Sequence, residues 1–237
     1  MPDIIFASGT HAVSGYLAVP EGAGPWPGVV MIQDAVGLNA DLRRLADHMA
    51  AHGYLVVAPD LYSAGNKIGC IAATVRTMAR GKGPALAHLA AAREYLVARP
   101  DCTGKTGVIG FCMGGMFAIM LSTGYGFDAA APNYGMPTPW LEVNDFVREG
   151  CCPMVGSYGG SDWSIPVRQV QALDKRLTDL DVPHDIKIYP DTTHSFFQEN
   201  AGATGRLFKV MGLRHNPEAC EDAWGRIFGF FDEHLTR

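Results

Sequence analysis

A chain of 237 residues, 48% hydrophobic and 18% charged, suits one sizeable α/β core better than two small ones. A formal net charge of -5 and a pI near 5.9 give no basic footprint, which argues against nucleic acid or an anionic membrane surface as a partner. The opening MPDIIFASGT lacks the basic start and apolar centre of a secretory signal, and no run approaches the roughly 20 apolar residues of a membrane span, so a cytoplasmic location is expected.

Residues 11–19 alternate Val13, Gly15, Leu17 and Val19 with mostly polar neighbours, the period-two pattern of a half-exposed antiparallel strand. Residues 29–32, 54–58 and 106–111 are instead apolar almost throughout, as central parallel strands covered on both faces must be. Between the first two lies a helical stripe of Leu42, Leu45, Ala46 and Met49, with Asn39 as its cap and Gly53 as its stop. Pro84 opens a helix carrying Leu86, Leu89 and Ala90, and another begins at Met113. The irregular segment 134–150 is placed to form a wall or lid. A strand over 153–158 leads to a helix opened by Pro166 with Val170, Leu173, Leu177 and Leu180. After a strand over 185–189, Asn216-Pro217 starts the last helix, whose stripe runs from Trp224 and Ile227 to Phe231 and Leu235.

Such alternation of strand and helix requires right-handed crossovers and an open, mostly parallel sheet with helices on both faces. The expected fold is therefore α/β, a single domain over 1–237 with an antiparallel N-terminal strand. The sequence holds no linker and no internal repeat.

Ligands of such sheets bind beyond the carboxyl ends of the strands, which singles out Asp34, Cys112, Asp162 and His194. Gly110-Phe111-Cys112-Met113-Gly114 has the strand-turn-helix context of a nucleophile elbow with cysteine in the serine position. The flanking glycines remove Cβ atoms from a tight turn, and the helix N-terminus favours a thiolate. A buried thiol acting as a core filler fits the same residues, since free cysteine is among the most buried residue types. Asp162 follows the 153–158 strand and His194 follows the 185–189 strand, so the order is nucleophile, acid, histidine, that of an α/β-hydrolase fold. Asp191 is the competing acid, but it lies on the histidine's own loop and is expected to stabilise that turn.

On these residues the chain resembles the dienelactone hydrolase family, the carboxymethylenebutenolidases of the α/β-hydrolase superfamily. The resemblance runs through Gln33-Asp34-Ala35-Val36-Gly37-Leu38-Asn39, Ala58-Pro59-Asp60-Leu61-Tyr62, the Gly-Phe-Cys-Met-Gly-Gly elbow, Asn133-Tyr134-Gly135, Gly160-Ser161-Asp162 and His194-Ser195-Phe196. It implies a triad of Cys112, Asp162 and His194, with the backbone N–H groups of Met113 and Ala35 as the oxyanion hole. Asp34 stands where the family carries a glutamate that helps to generate the thiolate, which makes Asp34 the expected thiol partner. Its side chain is one methylene, roughly 1.5 Å, shorter, and a misplacement of about 1 Å can cost on the order of 10²-fold in rate. Two arginines hold the substrate carboxylate in the dienelactone enzymes. Arg76 is the counterpart of the first, and Gln198 occupies the position of the second, so dienelactone itself is not the expected substrate. Tyr134 and Trp140 complete the expected substrate-binding set.

Other patterns fail on inspection. Gly104-Lys105-Thr106 resembles the end of a phosphate loop but precedes its strand, and Arg99 stands where the first glycine is needed. His48 and His52 have the i, i+4 spacing of metal ligands without the acidic residue, and are expected as surface residues on an ordinary helix. The six cysteines show no CxxC spacing and read as reduced thiols. No metal and no cofactor are expected.

The chemistry that follows is thiolate attack on an enol lactone or activated ester by a monomer or small homo-oligomer. The alternative is a thiol redox sensor or a small-molecule binding protein on the same scaffold, which has no need of Asp162 and His194 behind its thiol.

Overall fold

The computed structural model describes residues 3–138, 140–198 and 214–236. Asp3–Ser8 (β1) and His11–Ala18 (β2) form an antiparallel hairpin, and β2 pairs antiparallel with Leu55–Pro59 (β4). Trp26–Ile32 (β3), Cys102–Phe111 (β5), Ala129–Asn133 (β6), Met154–Gly159 (β7) and His184–Tyr189 (β8) continue the sheet, each parallel to its neighbour. The strand order is β1-β2-β4-β3-β5-β6-β7-β8. The carboxyl ends of β3, β5, β6, β7 and β8 therefore share one edge, and every candidate catalytic residue follows one of them.

The expected helices form where their apolar stripes and caps lie. Ala40–Ala51 (α1) buries Leu42, Leu45, Ala46 and Met49, and the Asn39 carboxamide accepts from the Leu42 N–H at 2.9 Å. Pro84–Val97 (α3), Met113–Leu121 (α4), Val167–Asp179 (α5) and Pro217–Leu235 (α6) begin at or beside the residues that the sequence marks as starts. Strands β3 and β4 are buried almost end to end, which is why their runs carry no polar alternation.

Three elements escape the sequence reading. β1 is a short edge strand, and β6 is the alanine-rich AAAPN, which lacks the β-branched residues that mark strands. Lys67–Arg80 (α2) is the third. Its pattern is inverted: Thr74 and Thr77 face inward while Ile68, Ile71 and Val75 are exposed, so hydrophobic periodicity points away from the core.

His52 is exposed as expected and His48 is half-buried, and both rings have aromatic partners. His52 stacks on Phe228 with ring centroids 4.0 Å apart, and His48 meets Trp224 edge-on at 4.9 Å, so both pack against α6. Burial first, then the neighbouring cations His52 and Arg44, lower the pKa of His48. Among the described residues no helix is long and apolar enough to cross a membrane.

Arg226 of α6 fastens the edge of the sheet that carries two of the candidate residues. Its guanidinium donates to the Asp185 carboxylate and carbonyl, both at 2.7 Å, and to the Gly156 carbonyl and Ser157 hydroxyl at 3.3 and 3.2 Å. One side chain thus ties β7 to β8 below the loops that emerge from them.

Candidate active site

Cys112 sits at the turn between β5 and α4 with φ 54 and ψ -114, a left-handed conformation that a non-glycine residue adopts only where its surroundings enforce it. They do so by close backbone contact. A Cβ on Gly110 would collide with the Gly114 carbonyl, and one on Gly114 would collide with the Ile32 carbonyl. The Cys112 N–H donates to the Asn133 carbonyl at 3.0 Å, and the Asn133 amide reaches back to Gly110 and Ala131. The elbow is thereby wedged between the ends of β3 and β6, with the thiol half-buried at the N-terminus of α4.

The loops after β7 and β8 are joined through their backbones. Gly160 N–H donates to Tyr189 O at 2.7 Å, and Ser161 N–H to Thr192 O at 3.0 Å. Gly159 has to be a glycine because the Thr192 and Thr193 carbonyls pass where its Cβ would be. This crossing brings the buried Asp162 carboxylate to 2.6 Å from Nδ1 of His194. Asp191, the competing acid, is exposed and takes no part.

Ser164 is a member of the site that sequence reasoning missed. Its N–H and hydroxyl donate to Asp162 Oδ1 at 2.8 and 2.6 Å, and its Oγ lies 3.2 Å from His194 Nδ1. The signal was available in Asp162-Trp163-Ser164, because an Asx carboxylate commonly takes the N–H two residues on.

With Nδ1 held by Asp162, Nε2 is the ring nitrogen left for the thiol. Burial by itself would lower the pKa of His194, but hydrogen bonds to Asp162 and Cys112 and their negative charge outweigh it and raise the group to about 10. Burial likewise opposes ionisation of Asp162, yet the His194 and Ser164 contacts hold its carboxyl below the ordinary range. The pair is therefore built to carry an imidazolium beside a carboxylate.

Among the described residues, neither the Met113 nor the Ala35 backbone N–H donates to a protein acceptor. The approach of Gly114 to Ile32 and Gln33 sets these two amide-bearing segments side by side.

Asp34 is buried, but both its oxygens are engaged away from Cys112. Oδ1 accepts from the Val36 N–H at 2.8 Å and Oδ2 from the Gln198 side-chain amide. The structure thus gives the expected thiol partner a different contact.

A cavity of about 380 Å³ opens over Cys112, Tyr134 and His194. Its walls are largely apolar, with Met78, Met113, Met116, Met136 and Ile165 on them, Arg168 and Gln169 add polar groups, and Trp163 at the rim is 73% exposed. Residues 135–138 form one wall, as the position of the irregular segment predicts. Of the expected substrate-binding set, Tyr134 lines the cavity, whereas Arg76, Trp140 and Gln198 do not. Arg76 projects from the exposed face of α2, whereas Met78 of the same helix reaches the cavity. Trp140 donates its indole N–H to the Ala79 carbonyl at 2.9 Å and so anchors the segment to the end of α2. Tyr134 is fully buried at φ 36, its ring edge-on to His194 at 5.1 Å and its hydroxyl without a hydrogen-bond partner among the described residues.

Comparison with known proteins agrees with this frame. The carboxymethylenebutenolidase of Rhodococcus opacus is 29% identical over 234 residues, covering 93% of this chain and 86% of its own. A dienelactone hydrolase-like promiscuous phosphotriesterase from metagenomic libraries superposes with a TM-score of 0.82 at 23% identity, over 99% of this chain and 98% of that one. An esterase of Thermogutta terrifontis shares the fold at a TM-score of 0.71 and 14% identity, over 98% and 91% of the two chains. The profile of the dienelactone hydrolase family matches residues 13–235. An elbow with its acid and histidine loops on an eight-stranded, mostly parallel sheet is thus accounted for by descent: the chain belongs to the dienelactone hydrolase family of ester and lactone hydrolases.

Proposed function

We propose that this hydrolase acts through Cys112 as nucleophile, His194 as base and acid, and Asp162 as the group that orients and charges the imidazole. The observation that carries the reading is the 2.6 Å Asp162–His194 pair standing behind a thiol held at positive φ. The Cys112 sulfur attacks the carbonyl carbon, and the carbonyl π electrons move to oxygen, where the Met113 and Ala35 N–H groups receive the charge. Each such donor is typically worth about 10²–10³ in rate. The intermediate collapses by breaking the C–O bond to the leaving group, which takes its proton from His194. His194 then removes a proton from water, hydroxide adds to the thioester, and collapse returns the carboxylic acid and the Cys112 thiolate.

A thiolate leaves the first intermediate more readily than a simple alkoxide, so forward collapse selects enol lactones and activated esters. The cavity refines this. Arg76 lies outside it and Gln198 is committed to Asp34, so the two-residue carboxylate clamp implied by the family resemblance is not formed; methionines occupy much of the walls, and Arg168 also stands on them. The fitting substrate is an ester or lactone with an apolar body.

Turnover of p-nitrophenyl esters by the wild type and by Cys112→Ala tests the assignment. The account expects turnover to disappear in the variant. Hydrolysis by Cys112→Ala at the wild-type rate would overturn it.

A further inference from the structure

We propose that a second cavity, beneath the first half of α2, binds a small organic carboxylate with an apolar body, such as an aromatic acid. This cavity of about 310 Å³ shares no lining residue with the one over Cys112. It lies where the tip of the β1–β2 hairpin, the loop after β4 and the starts of α2 and α3 meet. Leu61, Ala64, Ala73, Pro84 and Ala85 give it apolar walls.

Three features point to a polar ligand on one side of it. Thr74 is 2% exposed and lines the cavity, and its hydroxyl makes no hydrogen bond among the described residues. His88 is 7% exposed, and its Nδ1 is fixed by Ser8 Oγ at 2.7 Å, which sets the ring and leaves Nε2 without a protein partner among the described residues. His11 meets that ring edge-on at 5.7 Å and lines the same space. The Thr74 hydroxyl and the His88 ring both face the cavity, where a bound molecule supplies their partners.

The charge of that molecule follows from what surrounds it. No Asp or Glu is among the lining residues, burial and then His11 lower the pKa of His88 so that it faces the cavity as a neutral imidazole, and the N-terminus of α2 opens at Asn66 with its dipole favouring an anion. An acid carrying an apolar ring places its carboxylate against Thr74 and His88 and its ring against Leu61 and Pro84. The site stands independently of the reaction assigned to Cys112.

Benzoate titrated into the full chain tests the proposal by calorimetry, and two variants assign the binding to this cavity. One equivalent is expected to bind, and benzyl alcohol, of the same shape without charge, to bind at least about tenfold more weakly. Gly69→Met fills the cavity from α2 without removing a buried polar group, and Thr74→Val removes the hydroxyl while keeping its shape. Each is expected to weaken benzoate by roughly tenfold or more. Circular dichroism of both variants checks the fold, and one folded variant suffices for the comparison. The proposal is overturned by no binding up to roughly 10 mM, by affinity unchanged in the folded variants, or by benzyl alcohol binding as well as benzoate.

Discussion

Gln198 donates its side-chain amide to the Asp34 carboxylate, so the two positions at which this chain departs from the pattern of the family it resembles are in contact with each other. Activation of the thiol then falls to His194. Asp34→Asn is expected to leave the pH profile of Cys112 alkylation by iodoacetamide in place, whereas His194→Ala moves its midpoint upward. A shift of the profile in Asp34→Asn comparable to that in His194→Ala would return Asp34 to the thiol.

Ser164 gives Asp162 two hydrogen bonds and approaches His194, yet it touches no reacting atom in the proposed chemistry. It is a positioning residue. Ser164→Ala is expected to lower kcat by about 10-fold with little change in KM, on the scale typical of outer partners of catalytic groups. Ser164→Thr, which keeps the hydroxyl, is expected to restore most of the loss. Equal losses in both variants would point to packing instead.

The pKa shifts set the pH dependence of stability. His194 is raised to about 10 from an ordinary value near 6.5, so the folded state holds this proton more tightly than the unfolded chain. Its contribution is fully present below about 6.5 and is lost as pH rises towards 10. Asp162 is shifted downward, so its contribution is present above the ordinary carboxylate range, about 3.9, and is lost as pH falls through the depressed value. Urea midpoints measured across pH are expected to decline on both limbs, and His194→Gln to flatten the alkaline one. An unaltered alkaline limb in that variant would contradict the assignment.

The guanidinium of Arg226 bridges β7 and β8, whose ends carry Asp162 and His194. Arg226→Met keeps the length of the stem and removes every donor. The expected cost is about 2–4 kcal/mol, within the range for breaking a partly buried charged network. Because the two loops also lose their common base, kcat should fall while the folded fraction remains high, which denaturation and kinetics in parallel will show. A stability loss with unchanged kcat would limit Arg226 to a structural role.

The elements that set the site were legible because each leaves a local chemical mark. Gly110 and Gly114 announce a turn too tight for Cβ atoms, Asn39 a helix start, and buried β3 and β4 an unbroken apolar run. Asp162 and His194 were legible as residues placed just after strands. α2 was not, because its inward face holds Thr74 and Thr77 and its outward face Ile68 and Val75, the reverse of an amphipathic code. Long-range pairings were equally hidden. The approach of Gln198 to Asp34 spans 164 residues and that of Arg226 to Gly156 spans 70, and nothing local in the chain encodes either. Arg76, expected from the family resemblance as a substrate-binding residue, is instead turned to solvent by the phase of its helix.

The most direct test is intact-protein mass spectrometry of acid-quenched samples taken during turnover of an activated aryl ester. The account predicts a transient acyl adduct that maps to Cys112, is absent from Cys112→Ala, and decays far more slowly in His194→Ala. A wild-type enzyme that turns over the ester while the adduct never forms, or forms on another residue, would contradict it.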